Sequence, residues 1–331
     1  MAEKEQDLQQ VVEDALAEQK VPHVKFKGID PKDIDIARLT KPSKETRQEW
    51  WGKGLTFLAI ILIGILIVAI IGFVGMHGLA TFIDDKVNIF HFLFSTDWNP
   101  GAGKNHVGAA AMIVTSFAVT LLAALIATPF SIAVALFMTE YESGKRVQLL
   151  QSVMELLVGI PSVVYGFLGL MVVVPAVRTI FGGTGFGILT ATLILFVMVL
   201  PTITSLTADA FKAIPKELRK SSAALGATKW QTIYHVVLRA ARSRIMTAII
   251  FGMARAFGEA LAVQMAIGNA VLMPYNLVSP AATLTSQLTS QMGNTVMGTL
   301  PNNALWSLAL LLLIMSLVFN FLVHLIGKKS K

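Results

Sequence analysis

From Ala109 to Met138 the chain carries no charged residue, and this is one of six long apolar runs. A helix that crosses the ~30 Å hydrocarbon core of a bilayer needs ~20 mostly apolar residues. The runs Leu55–Gly75, Ala109–Met138, Leu149–Val177, Gly185–Ala208, Ile245–Ile267 and Leu305–Ile326 all reach that length. At ~1.5 Å per residue the second is about 45 Å long, too short for two spans and a turn, so it reads as one tilted or protruding helix kinked at Pro129. With only 14% charged residues against 54% hydrophobic, a soluble domain is excluded. The expectation is an all-α integral membrane protein with six transmembrane helices.

Charge fixes the orientation. Residues 1–54 hold ten basic and eleven acidic residues, whereas the remainder holds seventeen basic against nine acidic. With the N-terminus inside, thirteen of those seventeen fall on the inner side: Lys145 and Arg146, then Lys212, Lys216, Arg219, Lys220, Lys229, Arg239, Arg242 and Arg244, then Lys328, Lys329 and Lys331. The positive-inside bias therefore places both termini in the cytoplasm. Three parts follow: a tail and linker over 1–54, a membrane domain over 55–327 and a basic end at 328–331. The basic excess belongs to loops and not to a nucleic-acid site, since no basic stripe with interleaved aromatics occurs. The first fifty residues are polar, so no secretory leader is expected. The stripe Leu8, Val11, Val12, Ala15 and Leu16 sits on an acidic body, which suits a protein contact or a free tail better than anionic lipid. Trp50-Trp51 suits the headgroup interface.

Chemistry of its own is hard to find in this chain. It has no cysteine, which excludes disulfides, thiolate metal sites and thiol nucleophiles. His23, His77, His91, His106, His235 and His324 are scattered, so neither a metal site nor a catalytic residue is expected. The Gly-rich stretch Gly182–Gly187 joins two spans on the outside and precedes no Lys-Ser/Thr pair, so the chain does not hydrolyse nucleotide. The outer loops, about Met76–Gly108 and Gly268–Ala304, read as connectors or as a mouth that receives a partner.

The most informative segment is a polar insertion on the cytoplasmic side, residues 211–244. Pro215 suits the start of a short helix over Lys216–Leu225 that Gly226 ends. Thr228 and Gln231 have the spacing of a capping box, and Trp230, Ile233 and Val237 recur on one face of a second helix. Two short helices meeting at a bend, with apolar and basic groups exposed, suit docking into a groove on another protein.

This segment, Ser221-Ser222-Ala223-Ala224-Leu225-Gly226-Ala227-Thr228-Lys229-Trp230, resembles the EAA loop of type I ABC importer permeases. Aligned on Gly226, the family's Glu-Ala-Ala triplet falls on Lys220-Ser221-Ser222, and its Ile-x-Leu-Pro element becomes Val236-Val237-Leu238-Arg239. Three further stretches resemble the C-type permease subunit of the bacterial phosphate importer, the Pst system: Phe94–Pro100, Glu155–Gly166 and Ala254–Val263. The resemblance covers about residues 55–327. It implies the MetI-like fold in the bacterial plasma membrane, with Ser222, Ala223, Ala224, Gly226, Ala227, Thr228 and Trp230 coupling to an ATPase. The implied partners are a homologous A-type permease subunit, two ATP-binding subunits that hold ATP and magnesium, an extracytoplasmic phosphate-binding protein and membrane lipid. The chain itself holds no cofactor on this reading. Sulfate or molybdate is the alternative cargo. A self-sufficient secondary transporter would instead show inverted repeats and broken helices, neither of which is evident.

Arg255 and Glu259 lie inside the fifth run, where a charge costs ~2.5–3.5 kcal/mol even on a lenient scale. Their i, i+4 spacing puts them on one face of a continuous helix. Such a pair either neutralises itself and fixes packing, or it serves an anion: Arg255 offers planar guanidinium donors, and Glu259 holds that fork and accepts a hydrogen bond from the hydroxyl that HPO4(2−) has and sulfate lacks. The resemblance implies the second role for both residues. Glu155 and Asp209, near the inner ends of the third and fourth runs, read as interfacial acids or as part of an ion path. Pro161 is a kink and a possible gate hinge. Gly252 and Ala256, and Ala254 and Gly258, permit close helix approach.

Overall fold

The computed structural model describes residues 44–328 and is entirely helical in its regular structure. The tail stripe from Leu8 to Leu16 lies outside the described residues. The chain divides into two units, Met1–Ile67 and Val68–Lys331. In the first, the described part is the beginning of helix α1 (Lys44–Ile83), whose apolar side chains from Leu55 to Ile67 are all exposed, as suits a helix solvated by lipid tails. Trp50 and Trp51 are exposed as well.

The second unit continues α1 from Val68 and adds α2 (Ile89–Phe94), α3 (Ala110–Leu136), α4 (Lys145–Gly159), α5 (Ser162–Leu168), α6 (Val174–Phe181) and α7 (Ile188–Lys212). Then come α8 (Lys216–Ala224), α9 (Lys229–Thr232), α10 (Leu238–Phe257), α11 (Leu261–Ile267), α12 (Leu284–Gln291) and α13 (Leu300–Lys328). Among the described residues five helical runs are long and apolar enough to span, and the pair α10–α11, bent by 67°, makes a sixth if counted as one broken span. This is the all-helical membrane architecture that the hydropathy pattern implies.

Two of the six runs are not continuous helices. The third breaks at Ile160–Pro161, leaving α4 with no buried residue and a spanning stretch over Ser162–Phe181. Proline has no N–H for the carbonyl four residues back, and it forces the residue before it out of the helical region. Ile160 accordingly sits at ψ 127°, and the carbonyl of Leu157, which Pro161 leaves without a donor, accepts instead from the Tyr165 hydroxyl at 2.8 Å. The fifth run breaks between Phe257 and Leu261, which corrects the expectation of one helix through Arg255 and Glu259.

The centre of the unit is the packing of α3, α7 and α10, with α11 closing over it. Val119, Ala123, Leu195, Val199, Ile203, Ala262 and Ile267 are buried together. Gly252 makes the close approach possible, because a Cβ there would lie 2.5 Å from Ile203. Ser131 crosses from α3 to donate to the Leu200 carbonyl at 3.1 Å. A second core at the Lys/Arg-rich end joins Ala135, Phe211, Ile214, Ile233 and Val237, and so seats the polar insertion on the helix ends.

Candidate functional site

The intramembrane arginine is built on α10 and held by α7. Arg255 is exposed, and its Nη1 donates to Thr202 Oγ1 at 2.6 Å. Among the described residues this is its one hydrogen-bond partner, so the remaining donors of the planar fork are open.

Glu259 is not on the arginine's helix face. α10 ends at Phe257, the Gly258 N–H reaches the Ala254 carbonyl at 3.3 Å, and the Glu259 N–H reaches Ala256 at 3.2 Å, a tightened last turn. The Glu259 carboxylate turns forward and accepts from the Ala262 N–H at 3.3 Å, satisfying one of the unpaired amides that begin α11. Its carbonyl accepts from Thr285 Oγ1 at 2.8 Å. No ion pair joins Arg255 to Glu259, so the self-neutralising pair is absent and the fork is held by Thr202. Sequence reasoning missed Thr202 and Thr285; threonines inside apolar runs give no sign of their partners.

The polar insertion folds as two short helices around Gly226. Gly226 adopts φ +78°, the left-handed region that a Cβ disfavours, and the chain turns there. The capping box is present in both directions: Thr228 Oγ1 accepts from the Gln231 N–H at 3.3 Å, and Gln231 Oε1 accepts from the Thr228 N–H at 2.8 Å. Ser222 and Thr232 hydroxyls bond at 2.9 Å and tie α8 to the second helix. Trp230 does not share the buried face of Ile233 and Val237: those two are buried, while Trp230 is 61% exposed. At the tip Ala223, Ala224, Gly226 and Thr228 are exposed and Ala227 half-buried, and Leu225 is 89% exposed. The tip thus leaves apolar surface exposed on a charged hairpin.

An unforeseen clamp fastens this hairpin to the membrane helices. Arg219 of α8 donates to both carboxylate oxygens of Glu140, with Nη2···Oε1 at 2.7 Å and Nε···Oε2 at 3.3 Å. It also donates to the carbonyls of Ile214 and Phe211, each at 2.9 Å. Glu140 lies in a π-helical turn, Phe137–Tyr141, that extends α3. On the same turn the Lys229 ammonium stands 4.6 Å from the centre of the Tyr141 ring, a cation–π contact. Both short helices thus grip the end of α3.

Residues 127–331 match the family of binding-protein-dependent transport system inner membrane components. The chain belongs to this family. The permease is 49% identical over 303 residues to the probable ABC transporter permease protein YqgH of Bacillus subtilis (strain 168), covering 90% of this chain and 98% of that one. It is 35% identical over 222 residues to the phosphate transport system permease protein PstC of Xylella fastidiosa (strain Temecula1 / ATCC 700964), covering 61% of this chain and 68% of that one. Against PstC of Haemophilus influenzae the identity is 29% over 318 residues, covering 88% and 98% of the two chains. Among solved structures, a bacterial ABC transporter involved in the import of the acidic polysaccharide alginate aligns with a TM-score of 0.57 at 16% identity, over 87% of this chain and 97% of that one. The inward-facing methionine ABC transporter MetNI aligns at 0.51 with 21% identity, over 66% and 94%. At these identities the structures establish the fold alone, which is MetI-like. The permease is a multi-pass inner-membrane subunit of an ABC importer and is not itself catalytic.

Proposed function

We propose that this permease carries inorganic phosphate inward as the C-type subunit of a phosphate importer, with both termini in the cytoplasm. The observation that carries the reading is Arg255: a guanidinium inside a membrane span, fixed by Thr202 and with its other donors open on an exposed face. A charge kept at such cost faces a polar path and not lipid. Its planar fork matches a tetrahedral oxyanion. The PstC relatives at 29–35% identity name phosphate as their cargo.

The second wall of the path belongs to an A-type permease subunit, and the energy belongs to two ATPase subunits that bind ATP and magnesium. An extracytoplasmic binding protein delivers the anion to the outer loops. Leu225, Trp230 and the exposed residues around Gly226 dock on an ATPase, in the role of the family's EAA loop, although Lys220 and Arg239 replace its usual Glu and Pro. ATP binding closes the ATPase pair, the docked helices move, and the path beside Arg255 changes the side to which it opens. The break at Pro161 and the bend at Gly258 flank that position and supply the hinges. Glu259, whose second oxygen is not used in capping α11, stands to accept the hydroxyl of HPO4(2−).

The test is ATP-dependent uptake of labelled phosphate, sulfate and molybdate by vesicles holding the whole complex. Phosphate uptake that Arg255→Ala abolishes, with assembly and ATPase stimulation retained, supports the reading. Uptake of sulfate or molybdate in preference to phosphate transfers the permease to another oxyanion.

A further inference from the structure

The Lys/Arg-rich half of α7 presents one exposed polar face. Ser205, Asp209 and Lys212 are exposed along it below the half-buried Thr202, while Ile203, Thr204 and Ala208 between them are buried. Thr202 holds Arg255, and from there Asp209 lies ~10 Å further along the helix. Below Thr202 this face forms a wall of a cavity of about 360 Å³, closed opposite by α4 and the end of α3. Water occupies ~30 Å³ per molecule in the liquid, so the cavity has room for a small anion with its hydration shell.

Six polar side chains line it: Gln151, Glu155, Thr204, Ser205, Asp209 and Lys212. Glu155 Oε1 accepts from Gln151 at 3.0 Å, which leaves its second oxygen open, and Asp209 stands 3.5 Å from Lys212. Thr204 is fully buried in the wall, and its hydroxyl has no hydrogen-bond partner. The wall mixes donors with two carboxylate acceptors. An oxyanion without a proton has only acceptors to offer and meets repulsion from Glu155 and Asp209. One that carries a proton donates to a carboxylate while its bare oxygens accept from Lys212. The wall's formal charge of two carboxylates against one ammonium keeps such an ion from being held tightly.

We propose that this cavity is the cytoplasmic release site of the transport path and that it receives a protonated oxyanion from Arg255 along the Thr202–Ser205–Asp209 face. The proposal rests on the phosphate reading above and adds the second station of the path.

The chain has no cysteine, so Ser205→Cys places a single thiol of this chain in the cavity wall with little change in volume. In inside-out vesicles holding the whole complex, a charged thiol reagent modifies this position, and modification is read on this chain by mass. Millimolar phosphate slows it about fivefold or more, sulfate leaves it unchanged, and the exposed control Ser143→Cys responds to neither. Adding Glu155→Gln and Asp209→Asn brings protection by sulfate to within about twofold of phosphate. If the complex takes up phosphate but phosphate does not protect position 205, the release site is wrong and the importer reading stands. If sulfate protects the unaltered wall as well as phosphate does, recognition of the proton is wrong. A complex that takes up no phosphate removes the importer reading and this proposal together.

Discussion

At the scale of single residues, the site is organised by hydroxyls that serve other groups. Thr202 fixes the Arg255 fork, and hydrogen bonds to charged groups are worth ~1.5–3 kcal/mol. Thr202→Val keeps the volume and removes the bond, so uptake per unit of bound anion falls by about tenfold or more, while Thr202→Ser restores it. Initial-rate uptake with assembly checked on the same vesicles decides this; equal rates for Val and Ser would remove Thr202 from the site. Tyr165 plays the matching part at the Pro161 break. Tyr165→Phe leaves the Leu157 carbonyl without the donor that Pro161 cannot supply, at a cost of ~1–3 kcal/mol. Its thermal midpoint in detergent therefore falls, and the two halves of the break exchange more freely. A midpoint equal to wild type would show that water replaces the phenol. Arg255 was legible in the sequence because a charge inside an apolar run demands an explanation. The fate of Glu259 was not, since an i, i+4 argument presupposes an unbroken helix, and Gly258 was read as a small packing residue when it begins the break.

At the scale of elements, local chemistry was the most readable part of the chain. Thr228–Gln231 forms the capping box its spacing announces, and Gly226 takes the positive φ its position asks for. The side of this helix that faces the core was misread through Trp230, because a helical stripe counts apolar residues without saying which of them meet the core. The Arg219–Glu140 clamp was beyond reach, since the two lie 79 positions apart. It joins the docking hairpin to α3, and the Glu140 side chain is only 10% exposed. Breaking a buried pair by removing one partner costs ~3–5 kcal/mol, because the other charge is left unpaired. Arg219→Ala therefore lowers the thermal midpoint and loosens transmission: ATP hydrolysis stimulated by the binding protein continues while substrate moved per ATP drops several-fold. The exchange Arg219→Glu with Glu140→Arg recovers only part of this, because the carbonyls of Ile214 and Phe211 lose their donor. An unchanged transport-to-hydrolysis ratio in Arg219→Ala would confine the clamp to stability.

At the scale of the whole molecule, the five spanning runs among the described residues, and the bent pair α10–α11, follow hydropathy, and their breaks follow residues that hydropathy averages away. A window of eighteen or twenty residues registers Pro161 and Gly258 as small deficits, whereas the backbone registers them as bends. Orientation rests on a different physical term, the retention of Lys and Arg on the cytoplasmic side during insertion. In the structure Arg219 meets Glu140 and Lys229 meets Tyr141 at one end of α3, which holds the loop after α3 and the hairpin after α7 together. The loop between α11 and α12, where Tyr275 is 93% exposed, belongs to the other end. In a chain without cysteine, single substitutions report this directly. Tyr275→Cys is labelled by an impermeant maleimide in intact cells, whereas Ser143→Cys and Ser221→Cys are labelled only in inside-out vesicles. The reverse pattern would turn the permease over, put the apolar tip around Leu225 outside the cell, and leave the ATPases without a docking site. It would overturn the proposed coupling role of the hairpin and the proposed direction of the path beside Arg255 in one experiment.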